Sequence, residues 1–116
     1  MNHTFRFATN QDIPLILHFI KELASYEKML DEVVATEELL NEWIFHQKKA
    51  EVIFIMENEK EVGFALFFHN FSTFLGRSGV YLEDLYVQPE YRGKGYGKAL
   101  LKKLASIFII NNFYCR

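Results

Sequence analysis

Cysteine, long apolar runs and metal-binding patterns are scarce in this sequence, and each scarcity excludes a class of protein. The single cysteine, Cys115, rules out a disulfide framework within the chain and favours a reducing, cytoplasmic location. No apolar stretch reaches the roughly 18–20 residues of a membrane span, and no basic stretch leads into an apolar core at the N-terminus. We therefore expect neither a membrane segment nor a secretory signal. The four histidines are scattered, so no metal site is predicted.

Hydrophobic and aromatic residues are plentiful. Half of the 116 residues are hydrophobic, which is enough for a packed core and excludes a wholly disordered chain. The length fits one domain and leaves little room for two, so we expect a single domain over residues 1–116.

Charge is divided unevenly along the chain, although the net charge is only −2. Residues 1–91 carry a net charge of −8, whereas residues 92–116 carry +6 and no acidic residue. This division is compatible with an anionic ligand near residue 92 and a cationic ligand elsewhere, but charge alone does not favour ligands over an ordinary surface. A solvated helix face beside ordinary surface acids is the alternative interpretation. The basic run is short and no groove-reading motif accompanies it, so we expect no nucleic-acid partner.

Hydrophobic periodicity and turn signals predict the order β-α-α-β-β-β-α, an α/β sandwich in which helices flank a mostly antiparallel sheet. The last strand and helix need a further strand to complete a crossover, and the chain ends before supplying one. Within the second helix we expect Trp43 to be buried in the core. The predicted elements are a strand at 5–8, helices at 12–26 and 36–45, a hairpin of strands at 51–56 and 62–70, a strand at 79–87 and a helix after residue 95.

Simple alternation in the strand at 79–87 predicts its two faces. Val80, Leu82 and Asp84 are expected on one face. The opposite face is expected to carry Tyr81, Glu83, Leu85 and Val87.

Three glycines at alternate positions separate that strand from the last helix. Glycine permits a tight turn and close approach of a ligand to backbone amides, and the following helix presents free N–H groups and its positive dipole end. Together with nearby cations, these features describe a diphosphate cradle. The spacing of these glycines matches neither a P-loop nor a dinucleotide-binding motif. The residues concerned are Gly93, Gly95 and Gly97, with Arg92, Lys94 and Lys98 as the cations.

The segment Arg92-Gly93-Lys94-Gly95-Tyr96-Gly97 matches Gln/Arg-x-x-Gly-x-Gly/Ala, the coenzyme A pyrophosphate loop of the GCN5-related N-acetyltransferase (GNAT) superfamily. The sequence therefore resembles that superfamily. Residues 81–87 and 20–27 resemble, respectively, the fourth strand and the end of the first helix of its spermidine/spermine (diamine) acetyltransferase branch. The similarity extends to about Ile107.

The resemblance implies acetyl-CoA as cosubstrate and assigns roles by position. Backbone groups of Leu85, Tyr86 and Val87 are expected to pair with the pantetheine arm, with the Val87 amide near the thioester carbonyl. Glu83 matches the family's proposed general base. The expected substrate channel comprises Tyr26, Glu27, Glu83 and Asp84, and the expected pyrophosphate site comprises Arg92, Gly93, Lys94, Gly95, Tyr96, Gly97 and Lys98.

Ordinary structural roles are the alternative for these acids. Glu83 and Asp84 could be surface acids at a strand end, and Tyr26 and Glu27 could be plain helix-end residues. Seven acidic residues between Glu22 and Glu42 are typical of a solvated surface, which would also attract a polycationic substrate.

The family domain normally continues with a fifth strand, a fourth helix that carries the proposed general acid, and a final strand pair. The tail at 107–116 does not match, so we expect an incomplete, C-terminally truncated domain whose fourth strand is an edge. Either marginal stability or association through that edge should follow. Tyr114 follows Phe113, but nothing assigns it the role of acid.

The sequence thus predicts an N-acetyltransferase that transfers acetyl from acetyl-CoA to a primary amine of a small polyamine-like or diamine-like substrate. An inactive truncated remnant and a non-catalytic coenzyme A-binding module are the alternatives. The resemblance also suggests a homodimer, because the family is commonly dimeric.

Overall fold

The computed structural model describes residues 2–110 and 114–115. Its elements follow the order predicted from the sequence, which is confirmed through α3. A π-helical turn, Asn41–His46, continues α2 directly. The helices are α1 (Ile13–Tyr26), α2 (Glu37–Leu40) and α3 (Tyr96–Ile110), and the strands are β1 (Thr4–Phe7), β2 (Glu51–Glu57), β3 (Lys60–Ser72), β4 (Arg77–Val87) and β5 (Tyr114–Cys115).

One sheet contains all five strands in the order β1-β2-β3-β4-β5. The first four are antiparallel neighbours, whereas β5 pairs parallel with β4 at Gly79 and Val80 only. The expectation that no strand follows the last helix is therefore corrected, because α3 leads to a strand of two residues. In the described part of the chain, no strand pairs with β4 beyond Val80, so the outer edge of its second half is open.

Two apolar clusters cover the two faces of the sheet. The inner strand β2 contributes to both, since Val52 and Phe54 face α1 while Ile53 and Ile55 face α3. On the first face the ring of Phe19 stacks on that of Phe64 at 5.5 Å. The α3 cluster contains Ile53, Ile55, Val62, Ala65, Phe67, Val80, Tyr96, Leu100 and Leu104, and the α1 cluster contains Ile13, Ile16, Phe19, Leu40, Ile44, Val52, Phe54, Phe64 and Tyr86.

Trp43 does not serve the core as expected, because 52% of it is exposed. Leu40 and Ile44, four residues apart, face the sheet instead. Trp43 lies one position before Ile44 and points away from it.

The alternation predicted for β4 is wrong, because a bulge interrupts it. Leu66 of β3 pairs with Asp84, but the next residue, Phe67, pairs with Leu82, which leaves Glu83 as an extra residue. A bulge reverses the inside-outside phase beyond it. Val80, Leu82, Leu85 and Val87 therefore all contact the α3 cluster, while Asp84 shares the α1 face with Tyr86.

An ion cluster joins β1, the start of α1 and β3. The Arg6 guanidinium donates to both Asp12 carboxylate oxygens at 2.8 Å and to Glu61 at 2.9 Å. The Asp12 carboxylate also accepts the Thr9 N–H at 2.8 Å. The Arg6 hydrogen bond is the main reason that the pKa of Asp12 is lowered to about 2.

We expect Asp12→Asn to lower the free energy of unfolding near neutral pH by roughly 1–2 kcal/mol, less than the full pKa difference implies because solvent screens the partly exposed Arg6. The folded pKa of Asp12 lies below its unfolded value of about 3.9, so its stabilisation is present above pH ~4 and lost as the pH falls towards 2.

Urea unfolding between pH 2 and 7 measures this dependence. The wild type should approach the Asp12→Asn variant as the pH falls. A difference between them that is the same at pH 2.5 and pH 7 contradicts the assignment.

Candidate active site

The segment between β4 and α3 is a tight turn that requires glycine. A single 3-10 turn, Pro89–Tyr91, precedes it, and Gly93 and Gly95 both have φ of +82°. Residues with a side chain rarely adopt this backbone conformation. A Cβ at either glycine would meet no atom within 4 Å, so the requirement is conformational and the space above the turn is open.

The cationic side chains beside this turn lie on two different sides of it. Lys98, Lys102 and Lys103 line a groove of about 420 Å³ next to Gly95. Lys94 instead forms an ion pair with Glu57 at 3.1 Å, on the side towards β2. The 15-residue α3 begins at Tyr96, directly after Gly95, so its free N–H groups and the positive end of its dipole lie at the turn.

The open edge of β4 exposes the backbone of alternate residues. The Gln88 N–H donates to the Val62 carbonyl at 2.9 Å, which fixes the phase of the antiparallel ladder. By this alternation Tyr86 directs its N–H and C=O towards β3, whereas Leu85 and Val87 direct theirs to the open edge. The Val87 carbonyl accepts a hydrogen bond there from Arg92 Nε at 2.8 Å. Of the three backbone positions expected to meet pantetheine, two therefore face outward.

A cleft of about 230 Å³ separates the end of α1 from this part of β4. The Tyr86 side chain is buried at its base and contacts the Phe19 ring at 6.2 Å between centroids. Leu23 is a site residue that no sequence motif marks, because it is one of the regularly spaced apolar residues of α1. The lining residues are Leu23, Tyr26, Leu85, Tyr86, Val87 and Arg92.

Three carboxylates converge near the Tyr26 end of the cleft. Asp84 is half-buried, and burial raises its pKa above the ordinary value, with further contributions from the negative charges of Glu83 and Glu27. Glu83, the bulged residue, is exposed. The bulge thus brings two acids close together, at a position next to the C-terminal end of α1.

The matching family model covers residues 17–114 and describes the acetyltransferase (GNAT) family. The chain belongs to this family. Its glycine turn, β4 and the end of α1 all lie within the matched residues, so the resemblance stated from the sequence is confirmed.

Two relatives of this chain carry the names of amine acetyltransferases or of proteins like them. Bovine thialysine N-epsilon-acetyltransferase is 40% identical over 111 residues, which cover 88% of this chain and 65% of that protein. Human spermidine/spermine N(1)-acetyltransferase-like protein 1 is 34% identical over 95% of this chain and 17% of its own length. The chain thus spans less than two thirds of the length of these relatives.

A predicted acetyltransferase from Clostridium acetobutylicum, solved with acetyl-CoA, superposes on the chain with a TM-score of 0.80. The match covers 98% of this chain and 78% of that one at 19% identity, which shows that the GNAT fold is shared.

Neither a membrane-spanning helix nor a metal cluster is found over residues 2–110 and 114–115. No helix there is long and apolar enough to cross a bilayer, and no three His, Cys, Asp or Glu side chains are grouped to hold a metal ion.

We expect Gly95→Ala to lower the free energy of unfolding by roughly 1 kcal/mol, because alanine is strained at positive φ. Gly97→Ala is the matched control: Gly97 lies in α3 and an added Cβ would meet Leu85 only at 3.9 Å. Alanine is the better helix former, so this control should be neutral or stabilising by up to about 1 kcal/mol. Thermal and urea unfolding compare the two, and equal destabilisation would contradict the turn geometry.

Proposed function

We propose that the chain is an acetyl-CoA-dependent N-acetyltransferase that acts on a primary amine of a small polyamine-like or diamine-like molecule. The observation that carries this proposal is the arrangement of charge around one cleft. At one end of the cleft, Arg92 leads into the glycine turn before α3. At the other end, Tyr26 and Leu85 are the chain neighbours of the carboxylates Glu27 and Asp84, and Glu83 precedes Asp84.

The coenzyme end of the cleft fits a diphosphate on a long, flexible arm. The open space above Gly93 and Gly95 leaves room for phosphate oxygens at the backbone amides, and Lys98 supplies positive charge beside them. The outward N–H and C=O groups of Leu85 and Val87 can pair with the amides of a pantetheine arm as a further strand would. These residues support acetyl-CoA as the group held there, which supplies the activated acetyl group.

The amine end favours a substrate with more than one positive charge. The raised pKa of Asp84 reflects a half-buried carboxylate facing two further carboxylates, and a bound ammonium group would relieve that repulsion. An exposed Tyr26 ring adjoins these acids and can take a cation on its face. The relatives named for thialysine and spermidine/spermine support the same class of amine.

The proposed chemistry is direct transfer between two bound substrates. The amine nitrogen loses a proton and bonds to the acetyl carbon, while the carbon–sulfur bond breaks and the sulfur leaves as thiolate. Glu83 accepts the proton, directly or through water, which its exposure permits. The Val87 N–H at the open edge stabilises the negative charge that develops on the carbonyl oxygen. Asp84 and Glu27 hold the cationic end of the amine.

The proposal is tested on the purified 116-residue chain by calorimetric titration with coenzyme A and by thiol release from acetyl-CoA with thialysine, spermidine and putrescine. Binding together with amine-dependent release supports it. Binding without release at high protein concentration indicates a coenzyme-binding module. No binding contradicts the proposed site and favours an inactive remnant.

Glu83→Gln and Asp84→Asn are expected to differ in their kinetics. Loss of the proton acceptor should lower kcat by about 100-fold or more. Loss of the Asp84 charge should chiefly raise the KM for the amine, because it removes a binding group. Since the pKa of Asp84 is raised, the wild-type KM should increase as the pH falls through a value above the ordinary pKa of aspartate, and this increase should be absent in Asp84→Asn. The reverse division of effects would contradict the assigned roles.

A further inference from the structure

The Arg92 side chain spans the cleft and contacts both of its walls. On β4 its Nε donates to the Val87 carbonyl at 2.8 Å. On α1 its guanidinium carbon lies 4.6 Å from the centroid of the Tyr26 ring, and it lies 5.4 Å from the Tyr86 ring at the base. One side chain therefore ties the end of α1 to the open edge of the sheet.

Both groups that Arg92 engages are needed by ligands in the proposed reaction. The Val87 carbonyl is an outward acceptor on the edge where the pantetheine arm would pair. The Tyr26 ring is a cation-binding face beside the acids of the amine end. A guanidinium on Tyr26 and an ammonium on the same face exclude each other, because each would occupy the space above the ring and both are positive.

Arg92 also lies within reach of the diphosphate site. It immediately precedes Gly93, which has a φ of +82°, and its side chain is exposed. A guanidinium forms bidentate, charge-assisted hydrogen bonds with phosphate oxygens, which are stronger than a cation–ring contact at an exposed position. A bound diphosphate would therefore draw Arg92 away from Tyr26 and Val87.

We propose that Arg92 is a positioning residue that couples the two substrate sites. In the ligand-free chain it covers the cation-binding face of Tyr26. Coenzyme binding moves it to the diphosphate and uncovers that face, so bound coenzyme raises the affinity of the amine site. This inference rests on the proposed function.

The strength of the coupling between the coenzyme and amine sites depends on the Arg92–Tyr26 contact, which the amine replaces. An exposed cation–ring pair corresponds to an effect of roughly two- to fivefold in affinity. Coenzyme A should therefore tighten amine binding to the wild type by about that factor, and by linkage the amine should tighten coenzyme A binding equally.

Calorimetric titrations with thialysine and spermidine, each with and without saturating coenzyme A, measure this coupling without turnover. In Arg92→Gln the new glutamine still matches the family motif, which allows Gln or Arg at this position, but no cation lies on the Tyr26 ring. It should bind the amines without coenzyme about as tightly as the wild type binds them with coenzyme, so its coupling should fall towards one. Lys98→Gln is the matched control: it weakens coenzyme binding but should keep the wild-type coupling factor.

A second measurement follows Arg92 in the wild type and needs no variant. The Arg92 Nε–H proton lies near two aromatic rings and is hydrogen-bonded to Val87, so its NMR resonance should be distinctive. Titration with coenzyme A alone should shift it. The inference is overturned if coenzyme A binds while this resonance stays unmoved and amine affinity stays unchanged. Failure of coenzyme A to bind at all would instead count against the proposed function.

Discussion

The bulge at Glu83 determines where the functional groups of the cleft lie. Before it, Val80 and Leu82 face α3, and after it Asp84 and Tyr86 face α1. Without the extra residue, Asp84 would share the face of Val80 and Leu82 and would lie in the α3 cluster. A carboxylate in that apolar layer would be costly to ionise. The bulge instead places it half-buried beside the end of α1.

The same strand explains the opposite charges at the two ends of the cleft. The antiparallel ladder with β3 directs the backbone of Leu85 and Val87 to the open edge, and the chain then enters the glycine turn and the positive end of α3. The acidic and basic parts of the sequence thus lie at different ends of the cleft in the folded chain. Acids gather near Tyr26, cations gather near Gly95, and Arg92 lies between them in contact with both walls.

Much of the fold follows from local sequence signals. The spacing of Ile13, Ile16 and Phe19 specifies the buried face of α1, and Thr36 caps α2 by accepting the Leu39 N–H at 3.2 Å. The glycine turn was predicted because positive φ strongly favours glycine at Gly93 and Gly95.

Other features depend on tertiary pairing that residue patterns do not reveal. An alternating pattern contains no signal for one extra residue, so the bulge at Glu83 was missed and the two faces of β4 were predicted wrongly. The two-residue β5 is too short for a periodicity to register. The conformation of Arg92 depends on Tyr26 and Val87 coming together from different elements.

The central claim is that a coenzyme binds along β4 and the α3 turn, although a larger concavity of about 430 Å³ lies at the other end of the sheet among Ile44, Lys48 and His69. NMR chemical-shift mapping on addition of coenzyme A tests this most directly. We predict that the amides of Leu85, Val87 and residues 93–98 shift most, while those around Lys48 and His69 stay unchanged. Shifts concentrated at the larger concavity, or none along β4 and the turn, would contradict the account.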